Sequence, residues 1–88
     1  MPTKVENQEK PLSATKIQNW LISYIAELIE VSCREIDITI PFDEYGLDSS
    51  MSVTMIGDLG AWLGRDLDPT LIYDYPTLEK LAEYVSQI

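Results

Sequence analysis

The amino-acid sequence predicts an all-α fold: a small four-helix bundle with three longer helices, one short third helix and a long first loop. Three observations support this prediction. Apolar residues recur at helical spacing in several segments, helix-capping residues precede them, and no pair of strand-like segments is present to form a sheet. The 88 residues provide one small domain with a single core and no buried cleft of enzyme size.

The first helix follows a polar segment that prolines bracket. We expect residues 1–12 to form a flexible lead-in or linker and residues 13–88 to form the domain. Ser13 or Thr15 caps the first helix, which should extend to about Val31. Its apolar residues fall at offsets 0, 3, 4, 7, 8, 11 and 12: Ile17, Trp20, Leu21, Tyr24, Ile25, Leu28 and Ile29.

The segment 32–47 is long for a connection between two helices. Isoleucines alternate with polar residues in it, at Ile36, Ile38 and Ile40. We expect a loop that these isoleucines pin to the core, because no second strand is available to pair with it. Gly46 permits the turn into the next helix.

The second helix should begin with Asp48 as N-cap and Ser49 in the first turn, and should end near Leu63. Its apolar face is expected to consist of Val53, Ile56, Leu59 and Leu63, with Met55 and Trp62 close beside it. Gly57 and Gly60 inside this helix cost about 1 kcal/mol each relative to alanine. Close packing or a pliable helix would explain them, and the sequence leaves both explanations open.

Two further capping signals predict the remaining helices. Asp68 followed by Pro69 should open a third helix of about five residues, which ends at Tyr75 because a proline follows. Thr77 then caps the last helix. The apolar positions of that helix keep helical spacing, at Leu78, Leu81, Ala82 and Val85.

Four aromatic residues are interpreted as structural. We expect Trp20 and Trp62 in the core or at its edge. Tyr73 and Tyr75 are interpreted as packing residues that position the short third helix.

The charge balance restricts the partners of the chain. It has 15 acidic and 6 basic residues, a net charge of −9. This field repels nucleic acid and anionic membranes and favours proteins with basic surfaces. The N-terminus has no apolar run long enough for a signal peptide or a membrane span, so we expect a cytoplasmic chain.

The chain has no histidine and a single cysteine, Cys33. We interpret Cys33 as a half-buried small hydrophobic residue, and a lone cysteine fits a reducing compartment. Without histidine the chain lacks the usual general base and the commonest metal ligand, so no metal site is expected. A hydrolase with a serine nucleophile is excluded, because nothing in the chain can act as the base for Ser49.

The most informative segment is Gly46-Leu47-Asp48-Ser49-Ser50-Met51. It places a serine hydroxyl directly after an aspartate, where a loop gives way to a helix. A serine in the first turn is exposed, and the unpaired N–H groups and helix dipole there favour a phosphate.

The element order and three motifs resemble the acyl carrier protein family, most closely the carrier domains of modular polyketide synthases. The motifs are Gly46-Leu47-Asp48-Ser49, the Met51-Ser52-Val53 that follows, and Tyr73-Asp74-Tyr75-Pro76-Thr77. The resemblance covers about residues 13–88, which is nearly the whole domain.

The resemblance implies that Ser49 accepts a 4′-phosphopantetheine arm from coenzyme A and that Asp48 caps the helix and helps to position the serine and the transferase's metal. The thiol of the arm holds acyl intermediates as thioesters, and the carrier itself catalyses nothing. The implied partners are a magnesium-dependent phosphopantetheinyl transferase, an acyl-loading enzyme (an acyltransferase or an acyl-AMP ligase), a ketosynthase and other synthase domains. The motifs favour cargo displayed at the surface rather than hidden between helices.

Ser50 departs from the family, which usually has leucine after the modified serine. An apolar contact that partners often use is therefore absent. We expect Ser49 to be the modified residue, because the family's modified serine directly follows the aspartate. Thr54 and Ile56 stand where many relatives have charged residues, which predicts a less charged helix face and a narrower set of partners.

Two other classes remain open. The first is an acidic adaptor module without a prosthetic group, in which Ser49 is a helix cap or a phosphorylation site. The second is a peptidyl carrier of a non-ribosomal synthetase, whose signature usually has a Gly-Gly-His/Asp-Ser type of lead-in where this chain has Tyr45-Gly46-Leu47-Asp48. We expect a monomer, because no second apolar helix face should be left exposed.

Overall fold

The computed structural model describes residues 13–88, and these residues form four α-helices and two short 3₁₀ turns. The helices are α1 (Ala14–Ile29), α2 (Ser49–Leu63), α3 (Leu71–Asp74) and α4 (Leu78–Ser86), and the 3₁₀ turns span Cys33–Glu35 and Phe42–Tyr45. The prediction of an all-α fold with four helices is confirmed. The lead-in predicted for residues 1–12 lies outside the described residues.

Helix α1 begins where the capping signal predicts. The Ser13 hydroxyl accepts a hydrogen bond from the Lys16 N–H at 3.3 Å. The helix ends at Ile29, because Glu30 adopts a left-handed conformation with φ 61°. The predicted end near Val31 was therefore two residues too far.

A single hydrophobic core holds the helices together, and α1 packs against α4. Its most completely buried side chains come from α1, α2 and α4: Ile17, Leu21, Ile25, Met55, Ile56, Leu59, Leu78 and Leu81. The helical spacing predicted for α1 and α4 is thus the spacing of their buried faces.

Hydrogen bonds hold the long loop in place at two points, Asp37 and Phe42. Ile36 is buried, and the Tyr45 hydroxyl donates to the Asp37 carbonyl and accepts from the Asp37 N–H, both at 2.6 Å. The Phe42 N–H donates to the Pro76 carbonyl at 2.8 Å. The segment is a loop, as predicted, and Ile36 and Ile38 attach it to the core, whereas the half-buried Ile40 is not among the residues that pack against the core. In residues 13–88 the one strand-like pairing is an isolated bridge between Pro41 and Thr77.

Helix α2 has the predicted bounds, and its buried face includes Ile56 and Leu59 of the predicted face but not Val53. Its buried residues are Ser52, Met55, Ile56, Leu59 and Gly60, at offsets of 0, 3, 4, 7 and 8. Val53, predicted to be buried, is 49% exposed. One residue corresponds to about 100° of helix rotation, so the burial of Ser52 turns Val53 towards solvent.

Helix α3 starts later than predicted. Asp68 and Pro69 form a turn instead of a cap and first helical residue, because the Asp68 carboxylate accepts from the N–H and the hydroxyl of Thr70 at 2.9 and 2.8 Å. These bonds lower the pKa of Asp68. Thr70 occupies the N-cap position, and the helix itself has four residues.

Two predicted side-chain placements were wrong. Tyr73 is 70% exposed, so it is not a packing residue of α3, whereas Tyr75 is half-buried and stacks on Tyr84 with ring centroids 4.4 Å apart. Cys33 is exposed, not half-buried. Trp62 lies at the edge of the core, because it is 41% exposed and stacks on Trp20, which packs against the core.

The premise of the monomer prediction was also wrong. Large apolar side chains are exposed on helices α1 and α2: Leu28, Met51, Val53 and Trp62. An apolar helix face is therefore available to a partner. No helix in residues 13–88 is long and apolar enough to cross a bilayer.

The two glycines within α2 have different surroundings. A Cβ on Gly60 would lie 2.6 Å from the Arg65 carbonyl oxygen, because the chain folds back over the helix end after Gly64. A Cβ on Gly57 would meet nothing within 4 Å. Close packing thus explains Gly60 but not Gly57.

We predict opposite effects for the two alanine substitutions. Gly57→Ala should raise the free energy of unfolding by about 0.5–1 kcal/mol, because alanine favours the helix and the site has room. Gly60→Ala should lower it, because the new methyl group displaces the Arg65 backbone. Urea unfolding followed by circular dichroism measures both, and equal effects of the two changes would contradict this explanation.

Helices α1 and α2 are joined by one side-chain hydrogen bond. The Tyr24 hydroxyl donates to the Asp58 carboxylate at 2.7 Å. Partial burial, this bond and the charge of Asp58 together raise the pKa of Tyr24 to about 12 from the usual 10.0. Tyr24 is therefore a stable donor at neutral pH.

The raised pKa predicts a loss of stability in alkali. Above pH 10 an unfolded tyrosine releases its proton while the folded Tyr24 retains it, so the contribution of Tyr24 is complete below pH 10 and declines as the pH rises towards 12. Urea unfolding of the wild type and of Tyr24→Phe at several pH values measures this contribution. The difference between the two proteins should shrink over this range, and a constant difference would rule the explanation out.

Candidate functional site

Asp48 fixes the start of α2. It adopts an extended conformation (φ −84°, ψ −179°), and its carboxylate accepts from the Met51 N–H at 2.9 Å. The Asp48 carbonyl accepts the next bond, from the Ser52 N–H at 2.9 Å. Ser49 is the first residue of the helix, and its side chain is exposed.

The residues before Asp48 hold this end of the helix against the core. Leu47 is 6% exposed and Phe42 is 3% exposed. Between them Gly46 has φ 80°, a conformation that other residues adopt only with strain. With Leu47 buried and Asp48 capping the helix, the next side chain faces outward.

An open cleft of about 230 Å³ begins at Ser49. It lies between the loop, the first turn of α2 and the short helix α3. Its apolar lining comes from Pro41, Phe42, Leu47, Ile72 and Pro76. Its polar lining comes from Asp43, Asp48, Ser49, Ser52 and Tyr73.

Both positive and negative charges lie near Ser49. The free N–H groups of the first turn of α2 place partial positive charge near Ser49, whereas Asp43, Glu44 and Asp48 are exposed carboxylates of the same region. In the part of the chain that the structure describes, no three histidine, cysteine, aspartate or glutamate side chains are grouped as metal ligands.

The site can present a hydroxyl group but has no means of activating it. The chain contains no histidine, and the Asp48 carboxylate is engaged by the backbone of α2. A nucleophilic serine needs an adjacent base. The arrangement therefore suits a serine on which another protein acts.

The structure brings the predicted residues Asp48 and Ser49 together at the mouth of the cleft. It adds Ile72 and Tyr73, which the sequence analysis did not assign to the site. The motif Tyr73-Asp74-Tyr75-Pro76-Thr77 indicated where α3 lies along the chain, but it did not indicate that α3 lies beside Ser49.

A family model described as "Phosphopantetheine attachment site" matches residues 19–85 of the chain. The match extends from within α1 to within α4 and includes the cleft. The chain belongs to this family. Its members carry 4′-phosphopantetheine covalently and have no catalytic activity of their own.

Known proteins of the same kind are similar over nearly the whole carrier. The chain is 34% identical to the acyl carrier protein TtuC of Teredinibacter turnerae, over 96% of this chain and 97% of that one. It is 27% identical to polyketide synthase PksL of Bacillus subtilis over 76% of this chain, which is 2% of that synthase. The carrier thus corresponds to a small portion of a multidomain enzyme in the second case and to a whole protein in the first.

A solved structure supports the same fold. The acyl carrier protein Asl1650 from Anabaena sp. PCC 7120, described as having a variant phosphopantetheinylation-site sequence, matches with a TM-score of 0.82 and 40% identity. The match covers 89% of each chain. The chain is accordingly a carrier of the acyl carrier type.

We predict that the cap of α2 contributes measurably to stability. Asp48→Ala should lower the free energy of unfolding by about 1 kcal/mol, because the Met51 N–H loses its acceptor. Asp48→Asn should retain most of the stability, since its side-chain oxygen can accept the same bond. Urea titration of the three proteins measures this, and equal losses in both variants would show that the charge, not the cap, matters.

Proposed function

We propose that Ser49 is the residue to which the 4′-phosphopantetheine arm is attached. The observation that carries the proposal is the exposed hydroxyl at the first position of α2, held by the Asp48 cap and opening on the cleft. The cleft and the free N–H groups of the first turn leave room and favourable charge for a phosphodiester.

Ser50 is the competing residue, and its position argues against it. Ser49 lines the cleft on the α3 side of α2, whereas Ser50 lines a different depression on the α1 side. An arm on Ser49 would lie beside Phe42, Leu47 and Ile72, whose apolar surfaces suit its alkyl portion.

Ser49 and Asp48 have different roles in the proposed modification. Ser49 Oγ attacks the phosphorus of coenzyme A that bears the pantetheine, and its proton passes to a base of the transferase. The P–O bond from that phosphorus to the nucleotide breaks, and adenosine 3′,5′-bisphosphate leaves. Asp48 orients the first turn and presents a carboxylate beside the serine, where it can assist the transferase's magnesium. The arm ends in a thiol, which supplies the link for an acyl group.

The relatives support a proposal for the cargo and the partners. We propose that residues 13–88 form a cytoplasmic carrier domain that shuttles acyl or polyketide intermediates. Its partners would be a phosphopantetheinyl transferase, an acyltransferase or acyl-AMP ligase, and a ketosynthase with other synthase domains. Similarity to an acyl carrier protein and to a polyketide synthase supports this, and the single exposed Cys33 suits a reducing compartment.

The attachment site is tested by intact mass spectrometry. Apo-protein, coenzyme A, magnesium and a broad-specificity phosphopantetheinyl transferase are incubated with the wild type, Ser49→Ala and Ser50→Ala. The wild type and Ser50→Ala should gain one phosphopantetheinyl group, and Ser49→Ala should gain none. Circular dichroism of each variant verifies that it is folded.

Each other outcome has a definite meaning. A gain that persists in Ser49→Ala but vanishes in Ser50→Ala would move the attachment to Ser50. Absence of any gain in folded wild-type protein would contradict the attachment at either residue and would favour the adaptor alternative. Loading of the modified protein with acyl groups by an acyl-AMP ligase, but not with amino acids by an adenylation domain, would separate an acyl carrier from a peptidyl carrier.

A further inference from the structure

Among residues 13–88, Ser52 is the one polar residue that is buried. It is 6% exposed and lies on the buried face of α2, one turn before Met55 and Ile56. Burial of a hydroxyl group lowers stability unless the group finds a hydrogen-bond partner. Packing of the core alone therefore does not explain a serine at this position.

The Ser52 hydroxyl has no hydrogen-bond partner within residues 13–88. In the same residues, every side-chain oxygen or nitrogen that is fully enclosed has a partner. The Ser52 oxygen is therefore not fully enclosed. Because Ser52 lines the cleft at Ser49, its hydroxyl opens into that cleft and can donate to a group that lies there.

Ser52 and Ser49 lie on the same side of α2. They are three residues apart on the helix, so their Cβ atoms are about 5–6 Å apart. Both residues line the cleft. A phosphate group bonded to Ser49 Oγ bridges this gap, because its outer oxygens extend beyond the Ser49 side chain.

The charges of the cleft favour a further donor for a phosphodiester. The cleft is lined by the carboxylates of Asp43 and Asp48 and by no lysine or arginine. In the first turn of α2, the Met51 N–H already donates to the Asp48 carboxylate and the Ser52 N–H to the Asp48 carbonyl. A hydroxyl inside the cleft adds a donor to an anionic phosphate, and hydrogen bonds of this kind are among the stronger ones.

Tyr73 is the other side chain of the cleft, besides the two serines, that has a hydroxyl group. It is 70% exposed, so its hydroxyl exchanges a bond to water for a bond to phosphate with little net gain. The Ser52 hydroxyl is short of partners, and it gains more from the same bond. Burial therefore favours Ser52 over Tyr73 as the donor.

We propose that Ser52 is a second binding residue for the phosphopantetheine arm. Its hydroxyl donates a hydrogen bond to an outer oxygen of the phosphodiester on Ser49, and this bond directs the start of the arm into the cleft, towards Phe42 and Ile72. The proposal rests on the attachment of the arm to Ser49 proposed above, and it adds a residue that fixes the direction of the arm.

The test compares the wild type and three variants, each in the apo form and with the arm attached. Ser52→Ala removes the hydroxyl and Ser52→Thr retains it. Ser50→Ala is the matched control, since Ser50 lines the depression on the other side of α2. Coenzyme A, magnesium and a broad-specificity phosphopantetheinyl transferase attach the arm until intact mass shows complete modification. Peptide mapping verifies that Ser49 carries the arm, and circular dichroism verifies the fold.

Phosphorus NMR observes the phosphodiester directly. The resonance of modified Ser52→Ala should differ from that of the modified wild type by more than the line width, because its phosphate loses a donor. The resonances of Ser52→Thr and Ser50→Ala should coincide with that of the wild type. A role of Ser52 in packing alone would not produce this pattern.

Urea unfolding measures the same bond independently. In the apo form, Ser52→Ala should be at least as stable as the wild type, because alanine removes a hydroxyl without a partner and favours the helix. Attachment of the arm should lower the unfolding equilibrium constant of the wild type about fivefold more than that of Ser52→Ala. Ser52→Thr and Ser50→Ala should respond to the arm as the wild type does.

Three results would overturn the role of Ser52 while leaving the attachment at Ser49 intact. The first is a modified Ser52→Ala whose phosphorus resonance and response to the arm equal those of the wild type. The second is a Ser52→Thr that behaves like Ser52→Ala, which would show that the hydroxyl is not the group that acts. The third is an equal change in Ser50→Ala, which would indicate a general effect of the first turn. Absence of the arm from Ser49 in folded wild type would instead contradict the attachment itself, and this proposal with it.

Discussion

The whole arrangement around α2 depends on the hydrogen bond from the Met51 N–H to the Asp48 carboxylate. This bond decides at which residue the helix begins, and the buried Leu47 beside it decides which way the helix faces. Each residue along a helix advances by about 100°, so a start one position later would make Ser49 the cap and would bring Ser50 to the first position of the helix. The position of this bond therefore decides which serine lines the cleft.

Local signals predicted the helices well because the physics of capping is local. Ser13, Asp48 and Thr77 each accept a bond from the backbone N–H three residues ahead, as their residue types and positions indicated. The site residues Asp48 and Ser49 were available to sequence reasoning for the same reason. Predicting the capping carboxylate and the exposed serine required no information about residues far away in the sequence.

The predictions that failed involve competition between neighbours in space. Val53 is more apolar than Ser52, yet Ser52 is buried, because the anchoring of Leu47 sets the rotation of α2. Asp68 has the residue type of a cap, but its carboxylate is engaged by Thr70 in a turn. Tyr73 looked like a packing residue, although only the fold places it at the edge of the cleft. The burial of Ser52 and the place of Tyr73 depend on residues distant in sequence, whereas the turn at Asp68 depends on Thr70, two residues away, which the sequence analysis did not consider.

The two long walls of the cleft differ in how many backbone hydrogen bonds hold them, because the long loop pairs with the start of α4. Phe42 is bonded to Pro76, and the Glu79 N–H donates to the Ile38 carbonyl at 3.0 Å, so the loop and α4 form one rigid unit across the bridge of Pro41 and Thr77. Opposite them stands α3, a helix of a single turn whose backbone hydrogen bonds are local and whose Leu71 and Ile72 are buried in the core. Because α3 has no backbone hydrogen bond to the loop or to α4, a widening of the cleft for a bulkier group would come from α3, and it would disturb the packing of Leu71 and Ile72.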